Sequence, residues 1–303
     1  MKIFAYWDKP NSIPAYLQLC LATWQAHGGI DKVCLITDAN LNDWIAEGTL
    51  DVQALQQYPV AQRKDAIEIA VLARYGGLFL DVDTICTASP SAIIQALEGS
   101  EIALYGFHLA VVAARPDSEI TSRWLELLQQ TLTVPREQLI ASCGNSHFML
   151  GNYTFGLLRD ELATGKPAVP GELNTRPGEL IKKIRRHWVL KTKGRHLISQ
   201  INPRKSGFIA EQDYCGKEKL NAVEGYKNFW FSEKLPICVA SNNGGSLIGL
   251  HHTWTPARYS AMGFEELAED QALLSRVLKE LLQHSDISAF DVFKEFNPIV
   301  APG

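Results

Sequence analysis

The stretch that decides the fold runs from Arg74 to Thr84 and reads RYGGLFLDVDT. A helical pattern ends there at Gly76 and Gly77, and paired glycines are typical of a left-handed helix cap. The next three residues, LFL, are apolar and too few for a helix, so they predict a short buried strand. Asp81 and Asp83 follow, and in an extended chain a spacing of two residues points both side chains to the same side. Two such carboxylates repel each other unless a proton or a cation lies between them, so the spacing predicts a site for a hard divalent metal ion.

The composition is that of an ordinary globular protein. The 303 residues are 46% hydrophobic and 20% charged, and the net charge of −4 gives no reason to expect a nucleic-acid partner. Only five uncharged residues separate Lys2 from Asp8, which is too short for the apolar core of a signal peptide, so we expect a cytoplasmic location. The six cysteines have no paired metal-ligand spacing and are interpreted as free thiols in a reducing compartment: Cys20, Cys34, Cys86, Cys143, Cys215 and Cys238.

The first 40 residues predict the opening of an α/β fold. Lys2 to Trp7 and Lys32 to Thr37 have the apolar character of strands, and a helix that begins after Pro14 separates them. A strand, helix, strand order of this length favours parallel strands. Ligands of such sheets bind beyond the carboxyl ends of the strands, which places the end of the first strand and the end of the second at the functional edge: Tyr6, Trp7, Asp8 and Asp38.

The segment AQRKDAIEIAVLARYGG predicts a helix that leads directly into the Asp81 and Asp83 strand. Ile67, Ala70, Val71 and Arg74 recur at helical spacing. Asp65 is expected in the first turn of this helix, where a carboxylate often does no more than stabilise the helix dipole. Its closeness in sequence to the two-carboxylate strand indicates a second interpretation, in which Asp65 holds a hydroxyl group of a ligand.

We predict one catalytic domain, residues 1–303, with an irregular insertion at 161–236 and a helical tail at 260–303. The insertion contains the basic stretch from Lys182 to Lys205, which has nine Lys and Arg residues and no Asp or Glu. Within the insertion, three apolar residues at helical spacing form a stripe on one side of a predicted basic helix: Leu180, Ile184 and Trp188. Such a helix either contacts an anionic membrane or an anionic acceptor, or packs on the domain through that stripe. Nucleic acid is a weaker interpretation because no binding motif accompanies the charge.

Several motifs, in order along the chain, resemble one known family. RYGGLFLDVDT resembles the glycine-glycine and DXD signature of glycosyltransferases with the GT-A fold, in particular the DXD sugar-binding group that includes bacterial capsular polysaccharide synthesis proteins. The opening YWDKPNSIPAYLQLCLATWQAHG, the helix RKDAIEIAVLARYGG and the unit GFHLAVVAARPDSEITSRWLELL are similar to further parts of that family, and HHTW at His251–Trp254 resembles its C-terminal loop. The resemblance implies a Rossmann-like, mixed and mostly parallel sheet flanked by helices.

The resemblance also implies a role for each matching residue. Trp7 would stack on the nucleotide base, and Tyr6 and the adjacent backbone would contact the edge of the base. Asp65 would contact hydroxyl groups of the donor ribose or sugar. Phe79 would line the ribose pocket. Asp81 and Asp83 would bind the metal ion and serve as the catalytic carboxylates. His252 would be a third metal ligand or contact the diphosphate, and Trp254 would cover the β-phosphate. The implied metal is Mn²⁺ or Mg²⁺, whose Lewis acidity stabilises a departing diphosphate.

One residue departs from the family pattern. Three residues after the helix aspartate the family usually has an arginine that contacts the donor, whereas this chain has Glu68. Arg63 or Lys64, from the preceding turn, is a candidate to replace it. The departure puts the donor sugar in doubt.

The leading hypothesis is a metal-dependent glycosyltransferase of hexosyltransferase type. It would move a sugar from a UDP-sugar, with retention, to a saccharide or lipid-linked saccharide acceptor in capsule or polysaccharide synthesis, in the cytoplasm or at the inner face of the plasma membrane. One alternative is a phosphotransferase of the haloacid dehalogenase type, in which the first aspartate of DxDx[TV] attacks phosphate, although Ile85 stands at the fifth position. Another is a non-catalytic module that binds sugar nucleotides, which the Glu68 departure favours.

Overall fold

The computed structural model describes residues 1–9, 13–28, 33–106, 108–143, 149–172, 197–201, 208–209, 222–237 and 246–283, with the backbone alone at 208–209. The predicted apolar stripe of the basic helix and most of the Lys182–Lys205 stretch lie outside these residues, as do the tail beyond residue 283 and much of the predicted insertion. No helix among the described residues is long and apolar enough to cross a membrane.

The protein is a mixed α/β structure with a mostly parallel six-stranded sheet flanked by helices, which confirms the predicted class of fold, and it has a second sheet of three strands. The strands are β1 (Ile3–Tyr6), β2 (Val33–Ile36), β3 (Gly77–Leu80), β4 (Thr84–Cys86), β5 (Ile102–Tyr105), β6 (His108–Ala114), β7 (Ile198–Ile201), β8 (Phe208–Ile209) and β9 (Leu247–Gly249).

The described helices are mostly short, and they separate the strands in an alternating α/β order over the first half of the chain. They are α1 (Ala15–Gly28), α2 (Leu41–Trp44), α3 (Val52–Gln56), α4 (Val60–Tyr75), α5 (Ser91–Glu98), α6 (Glu119–Leu132), α7 (Arg136–Cys143), α8 (Asn152–Thr164), α9 (Ala222–Trp230), α10 (Ala257–Ala261), α11 (Phe264–Glu269) and α12 (Leu273–Leu282), with a 3₁₀ turn at His252–Trp254.

The chain forms two compact units, each built from separate stretches. Unit 1 contains residues 1–2, 39–79 and 93–201, and unit 2 contains residues 3–38, 80–92 and 202–303. The single domain expected from the sequence stays a prediction.

In unit 1, strand β6 lies between β3 and β5, and β7 is the neighbour of β5 on its other side. β5 is antiparallel to β6 and parallel to β7. Helix α4 packs against α6 and β6, and α6 packs against α8. The helical spacing correctly predicted a helix here, and of its four residues Ile67, Ala70 and Val71 are buried whereas Arg74 is exposed.

Helix α4 ends where the two glycines predicted it would. Gly76 has a φ of 59° and Gly77 a φ of 108°, a region that favours glycine. A Cβ on Gly76 would lie 2.3 Å from the backbone nitrogen of Pro116, so a side chain has no room there. At its other end α4 begins at Val60, which makes Asp65 its sixth residue. The expectation that Asp65 lies in the first turn of the helix is therefore wrong, and the dipole of α4 does not explain it.

In unit 2, β1 and β2 are parallel neighbours, with Ile3 opposite Val33 and Tyr6 opposite Ile36. The second sheet has β9 in its centre, antiparallel to β4 and parallel to β8. Helix α1 packs against β4 and α12, and its Trp24, fully buried, donates an indole N–H to the carbonyl oxygen of Thr84 at 2.6 Å. The helix thereby holds the strand that directly follows the DVD sequence.

Candidate functional site

The pairing of β4 with β9 explains how two distant motifs of unit 2 meet. Because the strands are antiparallel, the start of β4 lies beside the end of β9, with Thr84 opposite Gly249. The backbone N–H of Leu250 donates to the carbonyl oxygen of Asp83 at 3.0 Å. The backbone N–H of His252 donates to the Asp83 carboxylate, Oδ2, at 2.7 Å. The DVD sequence and the HHTW loop, 169 residues apart, are thus in direct contact.

Asp81 and Asp83 lie in a turn between two strands. β3 ends at Leu80, and the backbone N–H of Thr84 donates to the carbonyl oxygen of Asp81 at 3.0 Å. The expectation that the two carboxylates project from one side of an extended strand is wrong, because the chain reverses at this point. A turn still keeps the two residues close, since its ends are joined by that hydrogen bond.

The imidazole of His252 is held by aromatic side chains from two other elements. Its Nδ1 is hydrogen bonded to the hydroxyl of Tyr16 on α1, and the two rings are nearly parallel with centroids 6.0 Å apart. The ring of Trp7, at the end of β1, meets the imidazole edge to face with centroids 5.3 Å apart. Burial, and next the neighbouring His251, lower the pKa of His252, while burial and the Asp83 carboxylate raise the pKa of Tyr16. A neutral imidazole facing a neutral phenol follows, and a neutral imidazole is the form that ligates metals.

The end of β1 places two more of the predicted donor residues. Tyr6 is buried, and its hydroxyl donates to Oδ1 of Asp38 at 2.5 Å. The backbone N–H of Trp7 donates to the carbonyl oxygen of Ile36 at 2.9 Å, which extends the β1 and β2 pairing by one residue. The indole Nε1 of Trp7 is buried and has no hydrogen-bond acceptor among the described residues. A buried donor without an acceptor costs free energy that a ligand oxygen would recover.

The rest of the HHTW loop forms a compact aromatic stack. The rings of His251 and Trp254 are parallel with centroids 3.8 Å apart, and Tyr226 on α9 meets Trp254 edge to face at 5.7 Å. The Tyr226 hydroxyl accepts the backbone N–H of His251 at 3.1 Å and is hydrogen bonded to the Thr255 hydroxyl at the same distance. One face of Trp254 is therefore covered by His251. These contacts fix the backbone around His252.

Two predicted donor residues belong to unit 1. Phe79 is fully buried in β3. The carboxylate of Asp65 forms an ion pair with the ammonium group of Lys64, Oδ1 to Nζ, at 2.9 Å. A Cβ on Gly151, at the start of α8, would lie 2.1 Å from Oδ2 of Asp65, so this carboxylate lies directly against a glycine backbone. The roles of Phe79 and Asp65 stay predictions.

The sequence did not point to Tyr16, Tyr226 or His251 as contributors. Tyr16 lies on the buried face of α1 at ordinary helical spacing, so it is indistinguishable in sequence from a core tyrosine. Tyr226 lies in a part of the sequence that has no motif resembling the family. His251 had the only available signal, its place beside His252 in HHTW.

The residues at the DVD turn suit a metal that a substrate shares. Among the described residues, no three His, Cys, Asp or Glu side chains are grouped as a metal site. A divalent ion that bridges substrate phosphates takes one or two protein carboxylates and completes its shell with phosphate and water oxygens. Asp81 and Asp83 supply carboxylates of that kind. The Tyr16 hydroxyl holds Nδ1 of His252, as outer-shell groups hold a ligating histidine.

Comparison with known proteins gives one family likeness. Residues 1–148 match the family described as "Capsular polysaccharide synthesis protein", a little less than half of the 303 residues. Of 17 matching chains of solved structures, one described as "PaToxG Glycosyltransferase" is 14% identical with a TM-score of 0.36, over 65% of this chain and 79% of that chain. No curated protein matches. The matched family segment includes Trp7, Asp65 and the DVD turn and ends before HHTW, so it is the first half of the chain that is similar to the capsular polysaccharide synthesis family.

Proposed function

We propose that the protein is a metal-dependent glycosyltransferase of polysaccharide or capsule synthesis. It moves a hexose from a nucleotide-sugar donor, a UDP-sugar, to a saccharide or lipid-linked saccharide acceptor. The observation that carries the proposal is the hydrogen bond from the His252 backbone to the Asp83 carboxylate, at 2.7 Å, which joins the DVD turn to the HHTW loop. The family likeness of residues 1–148 supports it independently.

In the transfer, the bond between the sugar carbon and the diphosphate oxygen breaks and a bond to the acceptor oxygen forms. Mn²⁺ or Mg²⁺, held by Asp81 and Asp83, would supply a Lewis acid for the negative charge that develops on the diphosphate. His252, held by Tyr16 and by its backbone bond to Asp83, would contact the metal or the diphosphate. The acceptor proton passes to the leaving phosphate, so retention needs no additional carboxylate base.

Trp7 suits the contact with the nucleotide. Its ring lies beside His252, and its buried Nε1 has no acceptor among the described residues, so a donor oxygen at that point would satisfy it. Tyr6, Asp65, Phe79 and Trp254 complete the proposed donor contacts.

A donor screen tests the proposal. Thermal unfolding is measured with UDP-, GDP- and CMP-sugars, each with and without Mn²⁺, and we expect a UDP-sugar to raise the Tm only when the metal is present, because a ligand stabilises the state it binds. Asp83→Ala should abolish the shift and metal-dependent turnover of the UDP-sugar. The control Asp43→Ala, at an exposed residue of α2 in unit 1, should behave as the wild type. Wild-type turnover in Asp83→Ala would refute the proposal, and binding without turnover of any acceptor would favour a non-catalytic module.

A further inference from the structure

The ammonium group of Lys64 is the centre of a charged cluster within unit 1. Its Nζ lies 2.9 Å from Oδ1 of Asp65, 3.0 Å from Oε2 of Glu68 and 2.9 Å from the carbonyl oxygen of Leu109. Glu68 is one helical turn further along α4, and its side chain is 1% exposed. The side chain of Lys64 is 13% exposed, so the cluster is largely shielded from water.

The contacts define what Lys64 can do. An ammonium group has three N–H donors, and three oxygens lie within 3.0 Å of the Lys64 Nζ. Lys64 is therefore engaged by the protein itself, unlike a cation that reaches for a ligand. A carboxylate as buried as Glu68 is stable in its charged form only beside a cation. Lys64 is such a cation for Glu68, with its Nζ 3.0 Å from Oε2, and Lys64 in turn contacts Asp65.

The second oxygen of Asp65 is also constrained. The hypothetical Cβ of Gly151, 2.1 Å from Oδ2, shows how closely this oxygen approaches the first residues of α8. α8 has 13 residues, and the positive end of its dipole favours a carboxylate there. The ion pair at Oδ1 and the close approach of Gly151 to Oδ2 together restrict the orientation of the Asp65 carboxylate.

We propose that Lys64 and Glu68 are positioning residues for Asp65: Lys64 fixes the carboxylate, Glu68 anchors Lys64, and Asp65 so held accepts hydrogen bonds from hydroxyl groups of the donor. This inference rests on the proposed function, in which Asp65 contacts the donor ribose or sugar. It gives Glu68 a structural reason to be acidic at a position where an arginine would repel Lys64.

A double-mutant cycle on donor binding tests the inference. The Kd of UDP-glucose is measured by calorimetry with Mn²⁺ for the wild type, for Lys64→Met/Glu68→Gln, for Asp65→Ala and for the triple variant. Changing Lys64 and Glu68 together removes both charges of the more buried pair, so that the Glu68 carboxylate is not left without Lys64. We expect Lys64→Met/Glu68→Gln to weaken binding about tenfold, as for the loss of one charge-assisted interaction. The same pair of changes should weaken binding no further when Asp65 is already alanine. Lys166→Met, at an exposed residue after α8, is the control and should bind as the wild type.

The possible results separate this inference from the function on which it rests. The positioning role is overturned if the two sets of changes weaken binding independently, or if Lys64→Met/Glu68→Gln binds as the wild type. In either case the proposed function stands as long as turnover of the UDP-sugar requires Asp83. If the wild type binds neither UDP-glucose nor another donor in the screen, both are overturned. A second cycle, on urea unfolding of Lys64→Met and Asp65→Asn, needs no donor. It should show at least a fivefold coupling in the unfolding equilibrium constant, and additive effects would overturn the contact itself.

Discussion

Replacing Gly151 with alanine should destabilise unit 1 and displace Asp65. Gly151 has a φ of −94°, which is outside the left-handed region that favours glycine. The obstacle is space. The new Cβ would lie 2.1 Å from Oδ2 of Asp65 and 2.6 Å from Cδ1 of Leu109, both far inside the normal contact distance of about 3.5 Å. Either the carboxylate or the start of α8 must move.

The size of the effect follows from two opposing contributions. Inserting a methyl group into a packed site costs about 1–3 kcal/mol. Removing a glycine lowers the conformational entropy of the unfolded chain, which returns about 0.4–1 kcal/mol. We therefore expect Gly151→Ala to lower the free energy of unfolding by about 1–2 kcal/mol.

A matched control lies in the same helix. Gly156 is inside α8, and a Cβ there would have no atom within 4 Å. Alanine is the better helix former, so Gly156→Ala should raise the free energy of unfolding by about 0.5–1 kcal/mol. Urea denaturation of both variants checks the opposite signs, and calorimetry with UDP-glucose should show weaker binding for Gly151→Ala alone. A Gly151→Ala variant as stable as Gly156→Ala, with unchanged donor affinity, would refute the steric reasoning.

Two further outcomes follow from buried groups of unit 2. Tyr16→Phe keeps the ring beside His252 and removes the hydrogen bond between the two side chains. We therefore expect the free energy of unfolding to fall by about 1 kcal/mol and the turnover of UDP-glucose to decrease. Unchanged turnover would show that the Tyr16 hydroxyl does not position His252. Burial raises the pKa of Cys86 to about 12 and that of Cys20 well above its usual value. The folded chain therefore keeps both protons where the unfolded chain loses them, and stability that is complete below about pH 8.5 should decline as the pH rises towards 12. Urea unfolding midpoints at pH 8 and pH 10 measure this decline. The decline should be smaller in Cys86→Val than in the wild type, and an equal decline would show that Cys86 is not its cause.

Local signals in the sequence predicted much of the fold. The opening strand, helix and strand, the helix before Gly76 and the strand after Gly77 all form where apolar spacing and glycines placed them. Helix α6 spans Glu119–Leu132, and Ser118 caps its start by accepting the backbone N–H of Thr121. These features depend on neighbours within a few residues, which sequence spacing describes well.

Side chains that redirect the backbone were harder to predict. The spacing of leucines from Phe264 to Leu282 predicts one helix, whereas the structure has α11 and α12 with Asp270 between them. The Asp270 carboxylate accepts hydrogen bonds from the hydroxyls of Ser275, at 2.6 Å, and Tyr259, at 2.8 Å. An aspartate that binds such local donors competes with a continuous helix. The sequence left open whether Asp81 and Asp83 belong to the strand or cap a following turn, because a period of two residues does not reveal where a strand stops.

The candidate site needed contacts between distant parts of the chain. The sequence suggested that Asp83 and His252 belong together only through resemblance, whereas the pairing of β4 with β9 shows the contact directly. The part played by Tyr16 had no sequence signal, since a buried tyrosine that binds a histidine has the same spacing as one that only fills the core. The partner of Lys64 was equally hidden, because Glu68 looked like a lost donor contact until its carboxylate was placed beside the ammonium group.

The contact between Asp83 and His252 also has a consequence for the order in which the protein acquires its structure during synthesis. β4 leaves the ribosome early, but its partner β9 and the loop after it are made more than 160 residues later. Chains extend at about 5–20 residues per second, so the DVD turn waits roughly ten seconds or more for the backbone N–H that fixes it. Contacts of such long sequence separation also close slowly. Until then, helix α1 also lacks the cover that α12 provides. A nascent chain that pauses in the second half of its synthesis would therefore be exposed to aggregation and to chaperones.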